Sequence, residues 1–163
     1  MAKTVRVEGL KEIDAALADL SKATARNILR RTGIKALEPV AATARNLAPD
    51  DPATSGNDLK SSITVGTKLS PRQAKIARSN IRRGLADKSF VEVYAGPGPD
   101  PAAHNQEFGN INHGPQPFMR PAWAGNKDKV LDIVKTESWA EIEKAAKRAE
   151  RKAARLAAKA ARS

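Results

Sequence analysis

The chain has 163 residues, enough for one domain with an appendage but too few for two full domains. It contains no cysteine, which excludes a disulfide framework, a thiolate zinc site and a cysteine nucleophile. Lysine and arginine outnumber aspartate and glutamate by 29 to 18, and the formal net charge of +11 favours a polyanion or an acidic protein as partner. No apolar run has the length of a signal peptide or a membrane span, so we expect a cytosolic protein or one assembled in the cytosol, with no membrane contact.

The positive charge is concentrated in two segments. Residues 70–88 hold six basic and one acidic side chain, and residues 141–163 hold eight basic and three acidic, so each segment carries a net charge of +5. The rest of the chain is close to neutral. We therefore expect one α+β domain over residues 1–142 with a basic insert at 70–88, followed by a basic helical extension over residues 143–163.

The N-terminal third is predicted to be mainly helical. Alternating polar and apolar residues predict a short strand over residues 4–7, and apolar residues at helical spacing predict a helix over residues 10–20. Ser21 is a suitable N-cap for a second helix, which extends to about Leu47. The residues expected to bend or weaken that helix are Gly33 and Pro39.

The middle of the chain is predicted to form a small antiparallel sheet. Residues 49–57 are polar and rich in proline, so we expect a mobile loop there. Alternating apolar residues over 59–69 and β-branched residues over 89–95 predict two strands that pair. The basic insert between them opens with Ser70 and Pro71, which predicts either a surface helix or a mobile arm.

The stretch Glu107–Trp123, here called the signature segment, contains three prolines within seven positions. Proline fixes the backbone and removes hydrogen-bond donors, so we expect a shaped connector and not an interior helix or a central strand. Glu107 and Arg120 are predicted to form a charge-assisted bond within one chain or across a subunit boundary, with purely local contacts as the alternative. Phe118 and Trp123 are predicted to be core anchors.

Pro121 suits the first turn of a long C-terminal helix. Up to Ile142 this helix has an apolar face, and beyond it basic residues recur every three or four positions. That basic row suits contact with nucleic-acid phosphates, although a solvated face or protein docking through the alanine face remains open. No aromatic residue interleaves the charges, so stacking on single-stranded bases is not expected. The candidate DNA-facing or lumen-facing residues are Lys144, Arg148, Arg151, Lys152, Arg155, Lys159 and Arg162.

Signals for catalysis or metal binding are weak. His104, Glu107 and His113 are the only cluster with metal-ligand chemistry, but they lack the paired spacing of a zinc helix, and both histidines are expected on loops. No phosphate-binding glycine loop or Ser-His-Asp pattern occurs. We therefore expect no enzyme activity and no cofactor. The acidic residues interpreted as a soluble turn are Asp50, Asp51 and Asp58.

Taken in order, these elements resemble the tail-completion and head–tail connector proteins of long-tailed bacteriophages. The likeness covers about residues 5–140; the basic insert and the tail after residue 142 depart from the family pattern. The matching elements are Val7-Glu8-Gly9-Leu10, Ala48-Pro49, Gly56 with Leu59 and Ile63, Val91–Tyr94, Glu107-Phe108-Gly109 and Pro117-Phe118-Met119-Arg120-Pro121-Ala122.

The resemblance implies a virion protein that forms a ring of identical subunits, expected to be hexameric, at the head–tail junction. Other neck and tail proteins would be its partners, and genomic DNA would pass through the ring without sequence preference. A tail-terminator ring and a free-standing, non-specific nucleic-acid-binding protein are the alternatives. The loop at 49–58 is a further candidate for such contacts. The candidate subunit or neighbour contacts in the signature segment are Glu107, Phe108, Gly109, Pro117, Phe118, Arg120 and Pro121.

Overall fold

The computed structural model describes residues 9–49, 59–84, 91–98 and 101–160. Within these ranges the chain is mostly helical, with a two-stranded sheet. The helices are α1 Leu10–Ala18, α2 Lys22–Leu47, α3 Leu59–Ser62, α4 Pro71–Arg82, α5 Pro101–Phe108 and α6 Met119–Ala160, and the strands are β1 Thr64–Gly66 and β2 Tyr94–Gly96.

The framework is an antiparallel pair formed by α2 and α6. Three polar contacts define the direction: Arg31 Nη2 lies 2.6 Å from Glu141 Oε2, and Lys35 Nζ lies 2.8 Å from Glu137 Oε1. Asn126 Nδ2 donates to Thr43 Oγ1 at 2.9 Å. Residues later in α2 thus contact residues earlier in α6, so the two helices run in opposite directions. Exposed ion pairs contribute little energy, so they indicate the register of the pair more than they stabilise it.

Apolar packing between these helices supplies the core. Alanines on α2, including Ala36, Ala41 and Ala44, let α6 approach closely, and Phe118 fills the space at the start of α6 with only 1% of its surface exposed. A second, smaller cluster joins Ile13 of α1 to Ile28 and Ile142. The low aromatic content of the sequence is therefore accommodated by close packing of small side chains.

The two strands are antiparallel, with Thr64 opposite Gly96 and Gly66 opposite Tyr94, and the sheet packs on α2. The predicted fold class is confirmed: an α+β protein with a small antiparallel sheet against helices and a long basic C-terminal helix. Gly33 has a packing role here. A Cβ atom at this position would lie 2.6 Å from Val93 Cγ2, so the glycine allows the chain before β2 to contact the backbone of α2.

Several predicted elements are confirmed. The first helix is α1, and Ser21 caps α2 by accepting a hydrogen bond from the Thr24 amide at 3.3 Å. Within the basic insert, Pro71–Arg82 form α4, so the helical alternative is confirmed for these residues. The predicted C-terminal helix is α6, with Pro121 in its first turn.

Other predictions were wrong in part. The strand expected from residue 59 begins only at Thr64, because Leu59 is buried in a short helical turn where Ser62 Oγ donates to the Leu59 carbonyl at 2.7 Å. The second strand was expected over residues 89–95, but β2 has only three residues and begins at Tyr94, because each of them pairs with one of the three residues of β1. The strand expected at 4–7, the loop expected at 49–57 apart from its first residue, and residues 85–90 lie outside the described residues.

Candidate functional site

The signature segment is not a connector throughout. Its first two residues, Glu107 and Phe108, form the end of α5, and its last five residues form the start of α6. The true connector loop is residues 109–118. The prolines that predicted an extended connector lie within this loop and at Pro121, where a first-turn proline costs no helical hydrogen bond.

The carboxylate of Glu107 caps the N-terminus of α6. Its Oε2 accepts hydrogen bonds from the backbone amides of Phe118 at 2.8 Å and Met119 at 2.9 Å, while Oε1 accepts the Arg120 amide at 3.1 Å. These are the amides that have no partner within a helix, and a negative charge is favourable at the positive end of the helix dipole. One buried side chain thereby fixes the start of α6 onto the end of α5.

Arg120 completes this arrangement. Its Nε donates to Glu107 Oε1 at 2.9 Å and its Nη2 donates to the Glu107 carbonyl at 2.7 Å. The predicted Glu107–Arg120 bond is therefore present, and it lies within one chain. Glu107 is only 5% exposed, but the Arg120 side chain is 59% exposed, so the charge of the pair is presented to solvent on the arginine side.

The hydrogen bonds also determine the ionisation of Glu107. Burial raises the pKa of this carboxyl, but the hydrogen bonds from Met119, Phe118 and Arg120 together outweigh burial, and the net pKa lies below the ordinary 4.5. Glu107 is thus a carboxylate at neutral pH, which is the form that accepts all four donors.

The connector loop is held in one shape by its own hydrogen bonds. Asn110 Oδ1 accepts the amides of Asn112 at 2.8 Å and His113 at 3.1 Å, and the Gln116 amide donates to the Gln106 carbonyl at 2.7 Å. Gly109 has φ of +78°, and a Cβ there would lie 2.9 Å from the Pro115 nitrogen. The loop therefore requires glycine at this position for both its backbone angle and its packing.

This rigid loop and its flanks expose large apolar side chains, here called the connector surface: Phe108, Ile111 and Trp123. Their exposed fractions are 58%, 100% and 49%. The Phe108 ring lies 5.0 Å from Arg120 Cζ and 4.9 Å from the His104 ring, so polar neighbours hold it in place without covering it. Such a group is typical of a surface that contacts another protein.

The structure divides the predicted site residues into two groups. Glu107 and Phe118 are buried within the chain, whereas Phe108, Pro117, Arg120 and Pro121 are exposed. Phe118 is the core anchor that the sequence predicted, but the same prediction for Trp123 was wrong, because its side chain is 49% exposed. Ile111 was not among the predicted residues. An isoleucine within a loop of glycine, asparagine and proline was the available signal.

The two histidines do not form a metal site with Glu107. His104 lies on α5, contrary to the prediction of a loop, and His113 lies in the connector loop, as predicted. Among the residues that the structure describes, no group of three or more histidine and acidic side chains is placed to hold a metal ion. Asp50, Asp51 and Asp58 are outside those residues.

The candidate DNA-facing residues lie on the exposed part of α6. From Ala146 to Ala160 every side chain with a described position is exposed, and Lys144 pairs with Glu141 on its own helix at 3.1 Å. The basic row therefore extends from the domain as a helical arm. Arg162 is outside the described residues.

An exposed apolar surface and a basic helical arm in one chain are typical of a protein that assembles with others. Residues 11–109 match the model of a family described as "Bacteriophage HK97-gp10, putative tail-component". Because the match covers more than half of the chain, the chain belongs to this family of phage tail components, which implies a place in the virion and contact with other phage structural proteins. The match ends at Gly109, so most of the connector loop and all of α6 lie beyond it.

The resemblance seen in the sequence is thus confirmed at the level of the family. No curated protein and no solved structure matches the chain. None of the helices in the described ranges has the length and apolar character needed to span a membrane.

Proposed function

We propose that this protein is a tail-completion or head–tail connector subunit that forms a closed ring, about six copies around, at the junction between the head and the tail. The observation that carries the proposal is membership of the phage tail-component family over residues 11–109. The resemblance of the signature segment to the neck proteins supports the finer assignment. Genomic DNA would pass through this ring without sequence preference.

The connector surface is the proposed contact with the next subunit. Its three apolar side chains are exposed in the single chain, and the Glu107 cap fixes the ends of α5 and α6 that carry Phe108 and Trp123. A ring forms when one patch binds a different patch on the neighbouring copy and the rotation closes. In this arrangement Glu107 and Phe118 act by positioning, and Phe108 and Arg120 act by contact.

The proposal is tested by counting copies of the chain in purified phage particles with quantitative mass spectrometry. About six copies, or a small multiple, is the expected result for a closed ring. Absence from particles, with the protein abundant in the lysate, would overturn the structural assignment and favour a free-standing nucleic-acid-binding protein. Antibody labelling of particles in the electron microscope distinguishes a ring at the neck from a tail-terminator ring in unattached tails.

The contact surface has its own test. We expect Ile111→Ser to reduce incorporation into particles, because a fully exposed apolar side chain is lost from the proposed interface without any change to the core. Ile76→Ser on α4 is the matched control, since Ile76 is also exposed, at 53%, but lies outside the connector surface. Equal incorporation of the two variants would exclude Ile111 as a contact residue.

A further inference from the structure

Helix α4 has a surface that the proposed ring contact does not use. Together with Arg83 it carries five basic side chains and no acidic one. An α-helix has about 3.6 residues per turn, or about 100° per residue, which places four of them within an arc of about 100°. These four, the α4 basic face, are Arg72, Lys75, Arg82 and Arg83. The opposite side of the helix, formed by Ala74, Ala77 and Ile81, is half-buried.

Within the described residues, no acidic side chain neutralises the charge of the α4 basic face. All four side chains are exposed, and none of them forms an ion pair with an acidic residue in the described part of the chain. Arg78, the fifth cation, instead turns back along the helix, where its Nε donates to the Ala74 carbonyl at 3.1 Å. Clustered like charges that lack counter-charges create a strong local positive potential, which attracts a polyanion.

The helix that carries this face is well defined at both ends. Ser70 Oγ accepts the Gln73 amide at 3.3 Å while Gln73 Oε1 accepts the Ser70 amide at 3.1 Å, which makes a complete capping box ahead of Pro71. After Arg83, Gly84 ends the helix with φ of +68°. The helix backbone that carries the four charges is therefore ordered before any ligand binds, which lowers the entropy cost of binding.

We propose that α4 is a binding site for the phosphate backbone of duplex DNA, without base specificity. Arg72 and Arg82 are ten residues apart, so the cations of the first and last turns are separated by about 15 Å along the helix. That separation is comparable with the width of the major groove, about 12 Å, so the two ends can reach phosphates on opposite strands. Guanidinium groups also match phosphate oxygens in geometry.

An acidic protein surface is the less favoured ligand. Protein interfaces have an apolar centre, but the α4 basic face has none: the one exposed large apolar side chain on α4 is Ile76, which lies at the edge of the four cations. The site is separate from the basic row on α6 and does not depend on ring formation, so it can be tested on the purified chain.

The test measures binding of the full-length chain to a fluorescent duplex of roughly 20 base pairs of arbitrary sequence, by anisotropy over a series of salt concentrations. The variant is Arg72→Gln/Lys75→Gln/Arg82→Gln/Arg83→Gln. Each lost phosphate contact reduces the slope of log affinity against log salt by about 0.9, so we expect a slope shallower by about 3 to 4 and, at about 0.1 M salt, affinity at least about tenfold weaker.

A matched control removes four charges from α6: Arg148→Gln/Arg151→Gln/Lys152→Gln/Arg155→Gln. Its net charge equals that of the α4 variant, so a smaller effect on the salt slope shows that position matters beyond total charge. Arg72→Lys/Arg82→Lys/Arg83→Lys keeps the charge and should keep the slope. Circular dichroism should be unchanged in all variants, because the substituted side chains are exposed.

Three results would overturn the proposal. The first is equal loss of binding in the α4 and α6 variants, and the second is no measurable binding of the parent chain even at low salt. The third is displacement of DNA by polyglutamate at equal charge concentration, which would assign the site to an acidic polypeptide. Failure here leaves the particle count unaffected, so the ring proposal and the DNA site can be judged separately.

Discussion

Glu107 holds Arg120 at both its backbone and its side chain: one carboxylate oxygen, Oε1, lies 3.1 Å from the Arg120 amide and 2.9 Å from its Nε. The same carboxylate accepts two further amides from the start of α6. The negative charge of Glu107 therefore interacts mainly with groups of its own chain. Its contribution can be measured as a change in the free energy of unfolding.

Glu107→Gln should lower the free energy of unfolding by about 2 to 4 kcal/mol at neutral pH, because hydrogen bonds to a buried charge are lost. The folded pKa lies below 4.5, so the carboxylate stabilises the fold above about pH 4.5 and loses this effect as the pH falls through the lower folded value. The difference between parent and variant should accordingly shrink in acid. Urea unfolding from pH 7 to pH 3 measures it.

Glu12→Gln, on the exposed face of α1, is the control for Glu107→Gln and should change stability by less than about 0.5 kcal/mol. A parent–variant difference that stays constant with pH would show that the carboxylate charge is not what stabilises the start of α6.

Gly109→Ala should cost about 2 to 4 kcal/mol, since alanine is strained at φ of +78° and its Cβ would meet the Pro115 nitrogen at 2.9 Å. Gly114→Ala lies in the same loop, where a Cβ has no neighbour within 4 Å, and should be nearly neutral. Thermal unfolding of both variants separates loop strain from a general effect of alanine. Equal melting temperatures would contradict the assigned role of Gly109.

Gly33→Ala should destabilise the chain by about 1 to 2 kcal/mol, because the gain in helix propensity is smaller than the cost of the 2.6 Å approach to Val93. Val93→Ala removes that obstacle. In the Val93→Ala background, Gly33→Ala should become neutral or stabilising. A double-mutant cycle by urea unfolding checks the coupling, and additive effects would show that the two residues do not meet.

Thr32→Val should stabilise the chain by about 1 kcal/mol. Thr32 is 2% exposed, and its hydroxyl has no hydrogen-bond partner among the described residues. Burying an unpaired hydroxyl is unfavourable, so an apolar side chain of the same shape should be more stable at this position. Ser138, on the facing turn of α6, is in the same condition. Differential scanning calorimetry of the variant provides the measurement.

Thr43→Val is the opposite control on the same helix. The Thr43 hydroxyl donates to the Pro39 carbonyl at 2.9 Å and accepts from Asn126 at 2.9 Å, so this variant should lose about 1 to 2 kcal/mol. Loss of stability in Thr32→Val as well would indicate that a water molecule bridges Thr32 and Ser138.

The helices and the core were accessible from the sequence because their signals are local and periodic. Ser21 marks the start of α2 as its N-cap, and Phe118 was predicted as a core residue because large aromatic side chains dominate core packing. The short strands were harder to place. A three-residue strand is defined by its partner, and neither β1 nor β2 contains enough residues to show an alternating pattern of its own.

The ion pair in the candidate site could be predicted from the sequence, but the capping of α6 by Glu107 could not. Opposite charges at Glu107 and Arg120 indicated their bond, yet the three backbone amides that share the same carboxylate depend on the three-dimensional course of the chain. One signal was present: Phe118 precedes α6 where a polar N-cap is expected, so a cap had to come from elsewhere in the chain. Exposure of Trp123 could not be predicted from the helical pattern, because Val130 and Val134 lie on the same face of α6 and pack in the core.

α6 is a single helix of 42 residues, and it is held both by the Glu107 cap at its start and by packing against α2 as far as Ile142. Beyond Ile142 the helix continues to Ala160, which at 1.5 Å per residue is an extension about 27 Å long. A tilt of about 10° at its base would move the end of this extension by about 5 Å, so the reach of the basic arm depends on how firmly Ile142 is packed.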